Sequence, residues 1–143
     1  MHQIDFYILH TRLIRQEKER LACQLVDKAW HQDYHVYVHT DTQVSAQRLD
    51  MTLWTFKKES FLPHDIYPDV LSSAPIQIGY TEKVCEGMNV LINLTLSIPT
   101  FFEQFERIVE IVDDMPEARQ AGRARYRFYK EKDYVLKVHD INR

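Results

Sequence analysis

The sequence predicts an α/β fold: a single three-layer domain over residues 1–143, with a largely parallel central sheet flanked by helices. Three observations carry this. Short apolar or β-branched runs alternate with longer segments of helical periodicity, the pattern of strands joined by crossover helices. The chain has 143 residues, the size of one domain, and no repeat, low-complexity tract or long linker divides it. Apolar residues make up 45% and aromatics 12%, enough for a core that needs neither disulfide nor metal.

Taken in order, Ile4-Asp5-Phe6-Tyr7-Ile8-Leu9 reads as a buried strand. Residues 16–32 read as a helix, with Leu21/Leu25 and Ala22/Val26 at i, i+4 and charges on the other face. Residues 34–39 form a second strand. Asp41 or Thr42 can cap a helix running to about Thr55. Residues 57–73, which hold Pro63 and Pro68, are expected to be irregular. Residues 75–80 and 89–97 supply the third and fourth strands. Pro99 opens a short helical turn over 100–105. The β-branched run 107–113 reads as a fifth strand, with a helix continuing from Phe101 as the competing reading. Pro116 suits the first position of a helix reaching about Lys132. Residues 134–138 form the last strand.

This order resembles a nucleotide-binding topology, but the phosphate loop is absent. Gly79, Gly87 and Gly122 are the only glycines, and a phosphate-cradling loop needs several close together. The net charge of −3 gives no bulk electrostatic drive toward nucleic acid, so any anion site has to be local. Cys23 and Cys85 form no disulfide framework, and Cys23 reads as a reduced thiol near the core. No basic segment followed by an apolar run opens the chain, and no apolar run reaches the roughly 20 residues of a membrane span. A soluble cytoplasmic protein is expected.

Catalytic chemistry has little to stand on. His35 and His39 share a strand face but lie about 13 Å apart along it, too far for one metal ion. The cysteines lack ligand spacing, and the Asp113-Asp114 doublet has no companion acidic motif. No nucleophile elbow occurs. The expectation is no catalytic residue, no metal and no cofactor.

Two surfaces stand out instead. In the first, Leu49, Leu53 and Phe56 recur at helical spacing. Phe61-Leu62-Pro63-His64 then reads as a loop, because Pro63 displaces Leu62 from helical geometry. The aromatic cluster is either a core corner or a protein-binding surface. The second surface lies on the helix over 117–132. At about 100° per residue, Arg119, Arg123, Tyr126, Arg127 and Lys130 form one basic stripe. Ala118, Ala121, Ala124 and Phe128 are expected inward, with Arg125 near the inward border and its stem buried. The stripe holds no acid, whereas a merely solvated helix usually interleaves both signs. A nucleic-acid backbone, a phosphorylated small molecule or an acidic peptide with a free carboxylate would suit it.

Leu49 to His64, as LDxxLWxFxxxSFLPH, resembles a signature of the chi subunit of bacterial DNA polymerase III holoenzyme. The opening strand Ile4-Asp5-Phe6-Tyr7-Ile8-Leu9 and the late basic helix around Arg123 to Lys130 are similar to the same family, in order and over nearly the whole chain. The resemblance implies a non-catalytic accessory subunit of the clamp-loader assembly in DNA replication. It implies a psi-subunit interface at Trp54, Phe61, Leu62, Pro63 and His64. It also implies a site for the acidic C-terminal tail of single-stranded DNA-binding protein at Arg123, Tyr126 and Arg127, flanked by Arg119, Lys130 and Val112. DNA would be met only indirectly, and a membrane not at all. Arg127 and Lys130 look like two basic types exchanged relative to the family's pattern, which keeps charge but alters bidentate geometry. A small nucleotide-binding or hydrolytic α/β enzyme and a direct single-stranded DNA binder are the alternatives.

Overall fold

The computed structural model describes residues 2–10, 14–56, 61–84 and 86–141, and for residues 14–16 the backbone only. Residues 57–60 of the aromatic segment and Cys85 lie outside the described residues. The elements are β1 Gln3–Leu9, α1 Ile14–His31, β2 Val36–His39, α2 Gln43–Thr55, β3 His64–Tyr67, β4 Ile76–Gly79, β5 Val90–Asn93, a 3₁₀ turn Phe102–Gln104, β6 Arg107–Val112, α3 Pro116–Glu131 and β7 Val135–Ile141.

All seven strands belong to one parallel sheet in the order β3-β4-β2-β5-β6-β1-β7. The sheet is therefore wholly parallel, and residues 107–112 form a strand rather than the competing helix. Apolar side chains alternate between its faces. Leu9, Val36, Val38, Ile92, Val109 and Ile111 pack with α1 and α2. Ile4, Phe6, Leu91, Ile108 and Val112 pack with the Phe101–Phe102–Phe105 cluster and with Tyr129 of α3. These two cores make the three layers.

Local signals place the helix ends. The Thr42 side chain accepts from the Ser45 N–H at 3.1 Å and caps α2. Pro116 stands in the first turn of α3. In a chain so poor in glycine, Asp33 and Asp133 take the left-handed positions after α1 and α3, at φ 67° and 60°, a conformation Asp tolerates better than most residues.

Two expectations are corrected. The segment read as irregular contains β3, an edge strand beside β4, bounded by Pro63 and by Pro68, whose peptide bond with Tyr67 is cis. Prolines bound an edge strand without breaking a ladder, because the outer edge has none. The buried residues of α3 are Ala118, Gly122, Arg125 and Tyr129, whereas Ala124 and Phe128 are exposed. A Cβ on Gly122 would lie 3.0 Å from a methyl of Val112, so this glycine, rather than the alanines, lets α3 approach β6 closely.

Candidate functional site

α3 carries five of its six arginine and tyrosine side chains within reach of the sheet or the cleft beside it, and their environments differ. Arg125 is 3% exposed. Its Nε donates to Glu110 Oε1 at 3.0 Å and its Nη1 to the Leu96 carbonyl at 2.7 Å. Glu110 also accepts from Asn93 Nδ2 at 2.9 Å and from the Tyr129 hydroxyl at 2.8 Å. Burial, the largest influence, holds the Glu110 carboxyl above its ordinary value, and Arg125, Tyr129 and Asn93 oppose that rise. Three donors converging on one carboxylate favour its ionised form. Burial and the adjacent Glu110 push the Tyr129 phenol far up, so it keeps its proton and donates. This closed network ties α3 to β5 and β6. It is structural, and Arg125 is wholly inside the fold rather than at its border.

On the next face of α3 an open cleft of about 240 Å³ runs between the helix and β7. Phe6, Ile8, Val112 and Val138 supply apolar walls, and Arg119, Arg123, Tyr126 and Asp140 supply the polar groups, with Gly122 between. The Tyr126 ring meets Phe6 edge-on at 5.4 Å. Of the residues expected for tail binding, the structure brings Val112, Arg119, Arg123 and Tyr126 together here, while Arg127 and Lys130 lie exposed farther along α3.

The cations are not equivalent. Arg119 donates to the Asp113 carbonyl at 3.1 Å, the Leu9 carbonyl at 2.9 Å and the Asp114 carboxylate at 3.1 Å, and meets His10 Nδ1 at 3.2 Å. It secures the start of α3 to the end of β1, leaving Nη1 as its open donor among the described residues. His10 in turn meets Asp140 at 2.8 Å, which engages the one acid that lines the cleft among the described residues. Arg123, Arg127 and Lys130 form no hydrogen bond or ion pair among the described residues. Arg123 is thus the unpaired cation at the apolar walls, the pairing that an anionic group carried on an apolar residue needs.

At the other edge of the sheet, Trp54 and Phe61 are 47% and 64% exposed, with ring centroids 5.7 Å apart. Both present apolar surface. Leu62 and His64 do not: they are 1% and 6% exposed. Leu62 belongs to the core between the sheet and α1/α2. The His64 ring nitrogens face the Leu62 carbonyl on one side and Asp50 on the other, at 3.2 Å to its carbonyl and 3.1 Å to its carboxylate, and the ring packs under Trp54 at 4.6 Å. Leu62 and His64 therefore hold the loop against α2, and Pro63 between them is half-buried. Of the five residues expected at a psi interface, Trp54 and Phe61 are thus exposed, and Leu62 and His64 are buried beneath them. The reason is spacing: Leu62 sits where the chain turns back into the sheet, and a side chain there has to fill the corner.

A second cleft, of about 210 Å³, lies at the carboxyl ends of the strands, where open α/β sheets place ligands. Its two cations are paired, Lys18 with Asp113 at 3.5 Å and Arg48 with Glu19 at 2.7 Å, and Asp41 adds a third acid to its lining. Such a lining opposes a phosphate chain. Among the described residues no cluster of three metal-ligating side chains occurs, and no helix is long and apolar enough to cross a membrane. Burial pushes the Cys23 thiol up to about 12, with Glu19 adding to the effect, the character of an inert core thiol.

Comparison with known proteins bears on the fold and on the family. In solved structures the fold is similar to T4 UvsW, with a TM-score of 0.74 at 7% identity over 99% of this chain and 41% of that one. It is also similar to the C-terminal domain of S. cerevisiae Dbp5, with a TM-score of 0.60 at 8% identity over 99% of this chain and 90% of that one. At such identities the likeness is one of fold alone. In sequence, the chain is 36% identical over 143 residues to DNA polymerase III subunit chi of Pseudomonas aeruginosa, covering all of this chain and 99% of that protein. It is 29% identical over 120 residues to the Escherichia coli protein of the same name, covering 82% of each. The family model described as DNA polymerase III chi subunit, HolC, matches residues 1–137, and the chain therefore belongs to the DNA polymerase III chi subunit family.

Proposed function

We propose that this chain is a non-catalytic adaptor of the replicative DNA polymerase III assembly. One surface holds the psi subunit, and through it the clamp loader. The other holds the acidic C-terminal tail of single-stranded DNA-binding protein. The observation that carries the reading is the cleft between α3 and β7, where unpaired Arg123 stands beside Phe6, Ile8, Val112 and the Tyr126 ring. A tail that ends in an apolar residue needs both features: a cation for its terminal carboxylate and a wall for its last side chain. Arg127 and Lys130, exposed along the same helix, suit acidic residues upstream. Arg119 adds an open donor and keeps the helix start in place. Exposed Trp54 and Phe61, braced by Leu62, Pro63 and His64, have the character of anchors for a protein partner.

Isothermal titration with the tail peptide tests the reading. Arg123→Ala should weaken binding by about 1.5–3 kcal/mol, the range for a hydrogen bond to a charged group, with folding unchanged because the side chain is exposed. Amidating the peptide's C-terminus should remove most of the affinity. Full affinity in both arms would place the site elsewhere. The three unpaired cations beside Tyr126 also favour a second reading, direct binding of single-stranded DNA. Tight, salt-dependent binding of an oligonucleotide that Arg127→Ala and Lys130→Ala both weaken would support it over the tail.

A further inference from the structure

β7 ends the sheet, and its outer edge carries the unused half of a hydrogen-bond ladder. Its inner half is spent on β1: the Val135 N–H donates to the His2 carbonyl at 3.2 Å, and the Ile141 carbonyl accepts from the His10 N–H at 2.9 Å. In a parallel ladder the direction of these groups alternates along the strand. Val135, Lys137, His139 and Ile141 thus face β1, and Leu136, Val138 and Asp140 direct their N–H and C=O groups off the edge. Among the described residues β7 pairs only with β1. The same alternation turns the side chains of Val138 and Asp140 into the α3 cleft. The open backbone groups and the basic cleft are therefore two sides of one channel.

Resting on the tail-binding reading above, we infer that the acidic peptide binds as an added eighth strand on β7, parallel to it, with its last residue in the cleft. Direction follows from the layout. Ile8, Val112 and Asp140 lie toward the carboxyl ends of their strands. α3 connects the parallel strands β6 and β7 and so runs back against them, which carries Arg127 and Lys130 toward the other end. A peptide whose terminal carboxylate meets Arg123 and whose upstream residues pass Arg127 and Lys130 travels the same way as β7. Strand addition supplies sequence-tolerant main-chain bonds, while every second side chain faces α3. Charge favours this occupant: among the described residues, the helix overlooking the channel presents unpaired cations, and the only acid lining the cleft, Asp140, is already held by His10 at 2.8 Å.

A backbone N-methyl scan tests this on a short synthetic peptide of aspartates that ends in an apolar residue with a free carboxylate. Each amide is methylated in turn, and affinity is measured by titration against the whole protein. Methylation at every second amide should lower affinity tenfold or more, and the interleaved positions should tolerate it. On the protein side, Val138→Pro deletes an N–H that points off the edge without touching the β1 ladder. It should lower affinity about tenfold while the melting temperature holds, and if that variant does not fold, the peptide scan still decides. A flat scan, with Arg123→Ala still damaging, would overturn strand addition and leave tail binding standing. No binding of the unmodified peptide would overturn both.

Discussion

Arg119, Arg123 and Arg125 lie within two turns of one helix and do three different things. Arg119 bonds to the ends of β1 and β6, Arg123 is free at the cleft, and Arg125 is buried on Glu110. A helical wheel places all three but cannot say which cation has a partner across the sheet. The clue lies in another segment: Glu110 is the one acid within Ile108-Val109-Glu110-Ile111-Val112, and a carboxylate in a buried strand demands a cation. The pair is fully buried, with Arg125 and Glu110 side chains 4% and 0% exposed. Removing one partner leaves the other charge uncompensated. Arg125→Ala should therefore cost about 3–5 kcal/mol of folding stability, read from urea unfolding. A loss below about 1 kcal/mol would mean that the network contributes nothing to holding α3 on the sheet.

At the scale of elements, most of the fold is legible from local chemistry. β-branched runs mark β5 and β6, Thr42 marks the start of α2, and Pro116 marks the start of α3. What is not legible is β3: four residues between prolines, His64-Asp65-Ile66-Tyr67, show neither a continuous apolar run nor a clear alternation. Its existence depends on β4 being there to pair with. The aromatic surface is legible as a cluster, while its division into anchors and supports is not, because that depends on which residue meets the strand. The division is testable on adjacent positions. Phe61, 64% exposed, should become Ala with almost no change in melting temperature and with loss of psi binding. Leu62, 1% exposed, should lose about 2–5 kcal/mol of stability as Ala. Equal destabilisation by both variants would make Phe61 a core residue and remove the loop as an interface.

The whole molecule separates its two candidate surfaces by the width of its sheet. Trp54 and Phe61 stand where α2 passes into β3, at one end of the strand order, and the cleft stands between α3 and β7, at the other. They also lie over opposite faces, since α2 packs in one core and α3 in the other. Six strand spacings of about 4.8 Å put roughly 29 Å between the two edges. The polar network of Glu110, Arg125, Tyr129 and Asn93 binds α3 to the central strands between those edges, so neither surface needs to move for the other to be filled. Such a layout suits the proposed connector: both partners would be held at once, and linking two modest contacts would raise the effective concentration of each for the other. The affinity for the tail peptide should then be the same, within about twofold, whether or not psi is already bound. Titrating the peptide into free protein and into the protein saturated with psi measures this directly. Competition between the two partners would mean overlapping surfaces, and the bridging role would fall even if each contact proved real alone.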